Sequence, residues 1–324
     1  MIDAGHIDIT LSPGAVSIVS TRSKAIARLF IGKAPDGVAA LVPALFTVCG
    51  AAHSRASAVC LAKEGAGRAV AGAASQVVAA EAMREHLMRI AVDWQKAVSA
   101  EAPAAGELRR IHRLPRLAAA DPAALSGEAD ALLQQWIGTE EAILAGPGVL
   151  VASQTPAARL IRSVMTRGWD GVGAAGSSLP DERTAYRLVA AESCIAVLAR
   201  DHGDGLLPRL YARLVHAACL ARQLRRNGVV PDMPASDTVA RESGWSEAHV
   251  PTSRGLLTHR ARLEKGLVAA YEITAPTDVN FAVDGPAERA LLKLSGEMQD
   301  DLADAARLMV EAFDPCVAYG LRVQ

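Results

Sequence analysis

Between Ala39 and Ala100 the chain is rich in alanine, and its larger apolar residues recur three and four positions apart, as in Met83, Leu87, Ile90 and Trp94. That spacing follows the 3.6-residue turn of an α-helix, not the two-residue alternation of a strand, so the span predicts helices that bury a continuous face. A second long helix is expected from Leu206 to Arg226. There Leu207, Leu210, Leu214, Ala217, Ala218 and Ala221 form one stripe, and Asn227-Gly228 supplies a C-cap. Ser178-Leu179-Pro180-Asp181 has the N-cap serine and the acid three residues on that begin a helix, here expected to run to about Arg200. A final helix should end near Phe313.

Strand signals are fewer. Residues 6 to 20 alternate around Pro13-Gly14 and predict a hairpin, and Leu256 to Glu264 with Leu267 to Pro276 predict another around Lys265-Gly266. The polar, proline-containing passage Asn227 to Ser253 reads as an excursion or lid. Together these segments predict an α-dominated α+β fold with small peripheral sheet pieces.

At 324 residues and 51% hydrophobic content the chain is able to bury a sizeable core. Aromatics make up only 4% and the net charge is -1, which leaves neither stacking rings nor positive charge for general nucleic-acid binding. Pro35, Asp36, Pro43, His53 and Arg55 interrupt the apolar run Ala34 to Leu61, so it does not reach the ~20 residues of a membrane span. Met1 to His6 shows no basic n-region followed by an apolar h-region, so no export leader is expected. Cys49, Cys60, Cys194, Cys219 and Cys316 are an odd, scattered set with no disulfide framework, as suits a reducing compartment. The expected setting is cytoplasmic, with neither nucleic acid nor membrane as partner. Arg209, Arg213, Arg222, Arg225 and Arg226, with no acid between them, read as a solvated helix face or, alternatively, a dock for an acidic partner.

Several short motifs occur in order. Phe46-Thr47-Val48-Cys49-Gly50-Ala51-Ala52-His53 precedes Ala56-Ser57; Arg254-Gly255 precedes His259; Pro276-Thr277 precedes Asn280; Gly285-Pro286 precedes Glu288; and Asp314-Pro315-Cys316 is followed by Tyr319. Gly5-His6 opens the set. In this order the motifs resemble the large subunit of nickel-iron hydrogenases, bracketing residues 4 to 319, so that 1-324 is expected to form a single degenerate large-subunit-like domain. In that family two CxxC pairs supply four thiolates to nickel, two of which bridge to an iron carrying cyanide and carbon monoxide. Phe46 and Tyr319 stand where one cysteine of each pair belongs, and Ala4 where an acid belongs. Phenyl donates nothing and phenol is a hard donor, so half of the soft ligand set is missing. Arg322 occupies the position of a histidine beyond the last cysteine, and the chain is expected to carry no tail for a maturation protease.

The resemblance is nearest to the shortened accessory proteins of the HupK/HoxV type, and it implies a chain that is not an enzyme and holds no nickel. It implies Cys49 and Cys316 as metal ligands, in an arrangement unlike the family's, since its iron uses the second cysteine of each pair and these survivors are a second and a first. His53, Arg254, Pro276 and Thr277 would surround them. His53, four residues after Cys49, is expected to share its helix face and donate to its sulfur, or else to be a satisfied structural histidine. Arg254 is expected to supply positive charge beside the cyanide group and Thr277, just beyond a strand, a hydroxyl hydrogen bond to cyanide nitrogen, or else the two are a surface arginine and a capped strand end. Cys60, Cys194 and Cys219 read as packing cysteines. Two functions stay open. One is a non-catalytic scaffold or chaperone that transiently holds iron with cyanide and carbon monoxide ligands for an apo large subunit, in contact with HypC-like chaperone and HypD-like scaffold proteins. The other is a metal-free module that binds maturation factors or hydrogenase subunits.

Overall fold

The computed structural model describes residues 5–62, 71–98, 101–174, 204–226, 239–242, 244–297 and 300–324. The alanine-rich spacing builds three helices, α1 (Pro35–Leu45), α2 (Gly50–Leu61) and α3 (Ala71–Met88). A π-helical stretch, Arg89–Trp94, continues α3, and Gln95 Nε2 donates to the Ile90 carbonyl at 2.9 Å. Such wide turns shift side chains around the helix and recur at functional positions; this one carries Arg89. Next come α4 (Ala105–His112), α5 (Leu114–Ala120), α6 (Pro122–Trp136), α7 (Pro156–Thr166) and α8 (Leu206–Arg225). The predicted stripes are buried: Met83, Leu87, Ile90 and Trp94 from α3 and the π-helical stretch meet Leu210, Leu214 and Ala217 of α8 in the main core.

The N-terminal hairpin forms as β1 (His6–Ser12) and β2 (Ala15–Ser20), paired antiparallel. A second sheet contains β3 (Val239–Glu242), β4 (Trp245–Thr252), β5 (Gly255–Glu264) and β6 (Leu267–Thr274), in that order and antiparallel throughout. The hairpin expected at Lys265-Gly266 is therefore present, but the passage to Ser253 is no lid where it is described. Its latter part supplies two strands, and β4 puts Ala248, Val250 and Thr252 on one buried face. Glu247, His249 and Pro251 between them hide that alternation in the sequence. The short α9 (Pro276–Asn280), then α10 (Pro286–Glu297) and α11 (Leu302–Phe313), lead to β7 (Ala318–Val323). β7 lies parallel to β1, with Ala318 opposite His6, which brings the two ends of the chain together. The helix expected over 178 to 200, Cys194, Ala4 and the Asn227-Gly228 cap lie outside the described residues. Among those residues, no helix is long and apolar enough to cross a membrane.

Tyr319 on β7 donates to Glu311 Oε1 of α11 at 3.4 Å, while Glu311 Oε2 is buried without a partner. Burial, with the charge of Asp93 adding, pushes this carboxyl up to about 7. Because the folded value lies above that of an unfolded glutamate, the associated stability is present in acid and lost as pH rises through about 7. The loss amounts to at most about 3 kcal/mol. Glu311→Gln should melt close to the parent at pH 5 and at a higher temperature than the parent at pH 8. Equal melting shifts at the two pH values would show that Glu311 does not titrate in this range.

Candidate functional site

α2 packs against the second sheet through a small apolar cluster of Cys49, Ala52, Ala56, Val250, Leu257 and Ala275. Cys49 is the residue before α2 and adopts a left-handed conformation, φ 57° and ψ 31°. The helix start it precedes is satisfied from α3: Glu81 accepts from the Ala51 and Ala52 amides at 3.0 and 3.2 Å. A carboxylate there suits the positive end of the helix dipole. It also places negative charge near Cys49.

Cys49 meets Arg254, whose Nη1 donates to the sulfur at 3.1 Å. The same guanidinium donates through Nη2 to Glu85 Oε2 at 2.8 Å and through Nε to the Asp314 carbonyl at 3.0 Å. Burial pushes the Cys49 thiol up to about 12, with Arg254 pulling the other way, so the resting group is a protonated thiol. Gly255 explains why arginine is followed by glycine: its φ of +132° disfavours side chains, and a Cβ there would sit 3.2 Å from Pro276. Pro276 thus fixes the close crossing of the Arg254 turn over α9, and Asn280 Nδ2 donates to the Arg254 carbonyl at 3.4 Å.

Cys316 lies in the turn before β7 and has its own arginine. Arg22 donates through Nη1 to the sulfur at 2.6 Å and through Nε to Asp278 Oδ1 at 2.9 Å. Thr277 Oγ1 donates to the sulfur and accepts from the Cys316 amide, each at 3.2 Å. Gly5 supports this corner from β1, since a Cβ at its φ of +83° would collide with the Arg22 backbone at 2.6 Å. Cys316, Arg22, Asp278, His53, Phe46 and Thr47 line part of a cavity of about 350 Å³. Cys49 does not line it, although charge on Cys316 is felt at Cys49.

Of the residues proposed from the sequence, Cys49 with Arg254 and Cys316 with Thr277 are paired, and Pro276 braces the first pair. His53 stands elsewhere. Its Nδ1 faces His259 Nε2 at 3.0 Å, His259 Nδ1 faces the Tyr271 hydroxyl at 2.8 Å, and the His53 ring stacks on Phe46 at 3.7 Å. The expected bond from His53 to the Cys49 sulfur is replaced by this buried chain, while the Cys49 sulfur takes Arg254 as its partner. Burial holds His53 down to about 3, and it is neutral. Phe46, at the place of the missing cysteine, fills its space by that stacking. Tyr319, at the place of the other, bonds Glu311.

Asp314 is the residue whose role the sequence did not reveal. Fully buried at the end of α11, it accepts from Arg89, Arg213 and Arg254. Burial alone would raise its pKa, but the three guanidinium groups hold it well below the usual carboxylate range. Arg213 and Arg209 of α8 are buried, contrary to the solvated face expected of the basic stretch, while Arg222 and Arg225 pair with Glu140. Arg22, Glu85 and Arg89 carried no local signal in the sequence.

Asp314→Asn should leave two buried arginines, Arg213 and Arg254, and the part-buried Arg89 with one acceptor fewer and no carboxylate between them, costing about 3–5 kcal/mol. Denaturant unfolding of the variant is the test. A loss under 1 kcal/mol, as for an exposed pair, would remove Asp314 from this role.

No protein-family profile matches the chain. Curated relatives do: it is 28% identical over 344 residues to the hydrogenase expression/formation protein HupK of Azotobacter vinelandii, covering 98% of each chain. It is 26% identical, again over 98% of each, to the hydrogenase expression/formation protein HupV of Azotobacter chroococcum. Among solved structures, the Ni-Fe-Se hydrogenase of D. vulgaris Hildenborough superposes with a TM-score of 0.56 at 12% identity, over 93% of this chain and 92% of that one. An NAD+-reducing [NiFe]-hydrogenase superposes with a TM-score of 0.55 at 13% identity, over 94% and 93%. The chain therefore has the fold of a nickel-iron hydrogenase large subunit and is similar along nearly its whole length to hydrogenase expression/formation proteins of the HupK type.

Proposed function

We propose that this protein is a non-catalytic assembly factor of nickel-iron hydrogenase maturation that carries the iron-cyanide-carbonyl group as cargo on Cys49 and Cys316 and passes it to an apo large subunit in the cytoplasm. The observation that supports this most is that each of the two retained thiols has a guanidinium of its own, Arg254 for Cys49 and Arg22 for Cys316. Two thiolates and an anionic iron group need compensating charge in a buried setting, and charge-assisted donors supply it. A thiol held at about 12 by burial gives up its proton only when a metal takes its place, so binding couples to proton release and is reversible. Nickel has no full set here, because Phe46 and Tyr319 offer no thiolate. HypC-like and HypD-like maturation proteins are the partners this role requires.

A metal-free interaction module is the second reading. It is favoured by the lack, among the described residues, of any group of three or more histidine, cysteine or acidic side chains arranged to hold a metal. An iron that brings its own diatomic ligands needs fewer protein donors than such a group contains, which is why the first reading is preferred.

The two are separated by infrared spectroscopy and iron analysis of protein co-produced without oxygen alongside the maturation proteins. Cyanide and carbonyl stretches should appear, vanish in Cys49→Ala and in Cys316→Ala, and persist in Cys60→Ala, whose thiol donates to the Ser246 carbonyl at 3.2 Å. Arg254→Ala should shift or weaken the cyanide bands. Bands absent from the parent protein, or surviving the double cysteine variant, would leave the interaction module as the function. Stoichiometric nickel with hydrogen turnover would defeat both.

A further inference from the structure

A second cavity, of about 320 Å³, lies on the far side of Arg254. One wall is α8, with Arg209, Arg213 and His216; the opposite wall is formed by the start of β5, by β6 and by α9. Positions 209, 213 and 216 are spaced to share one helix face, so the placement of two guanidinium groups beside the cavity follows directly from the sequence.

The carboxylates of this wall are unevenly shared. Asp314 is shared by Arg89, Arg213 and Arg254, but Arg89 has Asp93 as a second carboxylate and Arg254 has Glu85. Arg213 has no second carboxylate among the described residues. Its Nη1 makes only a 3.3 Å contact with the Ser253 carbonyl, and its Nε is buried without a partner. His86 and His216 beside it face each other at 2.9 Å, and His86 Nδ1 is likewise buried and unpartnered. Burial and the nearby Arg213 charge keep both imidazoles neutral, so the pair supplies no counter-charge. Glu247 and Glu272 line the outer part of the cavity, but Arg260 bridges them at 3.1 and 3.0 Å. Arg209 pairs with Asp204 at 3.6 Å and donates through Nε to its carbonyl at 2.8 Å, so Arg213, with one shared carboxylate and an unpartnered Nε, is the least compensated cation of this wall, and a buried cation with too little anion nearby is disfavoured.

We infer that this cavity binds a small oxyanion, a carboxylate or phosphate group, between Arg209 and Arg213. Planar guanidinium groups present paired N–H donors that match two oxygens of such a group, and the enclosed setting strengthens the pairing. Ser253, Thr258 and Asn280 add polar side chains around the same space. The inference uses none of the thiol chemistry and stands whether or not the protein carries metal.

The test is titration of the full-length protein with sodium phosphate and, separately, sodium acetate, with sodium chloride adjusted to keep ionic strength constant, followed by calorimetry and thermal melting. At least one anion should bind saturably at one site per chain; phosphate alone would identify a phosphate group, and acetate alone a carboxylate. Arg213→Gln should weaken that binding by about tenfold or more, as expected for loss of a charge-assisted bidentate partner. Because Arg213 also bonds Asp314 and its loss endangers folding, Ala212→Leu, which narrows the cavity without altering charge, should produce the same loss. The Cys49→Ala, Cys316→Ala double variant should bind the anion as the parent does. No saturable binding of either anion, full binding in a folded Ala212→Leu protein, or loss of binding in the double cysteine variant would each overturn the inference.

Discussion

Three arginines that are distant in sequence converge on one carboxylate with no access to water. Removing ions from water costs several kcal/mol each, and only close opposite charge with well-made hydrogen bonds recovers it. Asp314 meets that condition because the π-helical stretch after α3, α8 and the turn before β5 each bring a guanidinium to the end of α11. The demand is mutual, since none of those elements is able to move without stranding a buried charge. The thiol site inherits its geometry from this cluster: Arg254 reaches Cys49 only because its Nε and Nη2 are already held by Asp314 and Glu85.

The positions that have lost a cysteine have been filled rather than left open. Phe46 lies flat against His53, and the His53, His259 and Tyr271 chain carries the hydrogen bonding into the second sheet. Tyr319 reaches Glu311 and ties β7 to α11. Each of the two surviving thiols has an arginine partner of its own, Arg254 for Cys49 and Arg22 for Cys316.

The positions of Gly5, Gly255 and Pro276 acquire reasons only in three dimensions. Gly5 lets β1 pass against the backbone of Arg22, and Gly255 lets the Arg254 turn approach Pro276. Both crossings set where a guanidinium meets a sulfur. Each depends on a close approach between segments 17 and 21 residues apart in the chain, for which side-chain periodicity carries no information.

The sequence by itself determined the helices and hairpins whose apolar residues keep a regular period: α3 with its Met83, Leu87, Ile90 and Trp94 stripe, α8, the β1–β2 hairpin and the β5–β6 hairpin. It also carried the expectation of an incomplete nickel ligand set, because a missing thiol is visible in the residue alone. Tertiary structure decided the rest. Arg209 and Arg213 looked solvated because periodicity identifies the apolar face of α8 but cannot tell that its other face is buried as well. His53 was expected to bond Cys49 on helical spacing, but its ring is taken by His259 and Phe46, partners that only tertiary packing brings to it. Asp314 was visible only as a member of the motif before Cys316, because its three partners come from elements whose approach is set by long-range packing, and a buried charge leaves no pattern in the neighbouring residues.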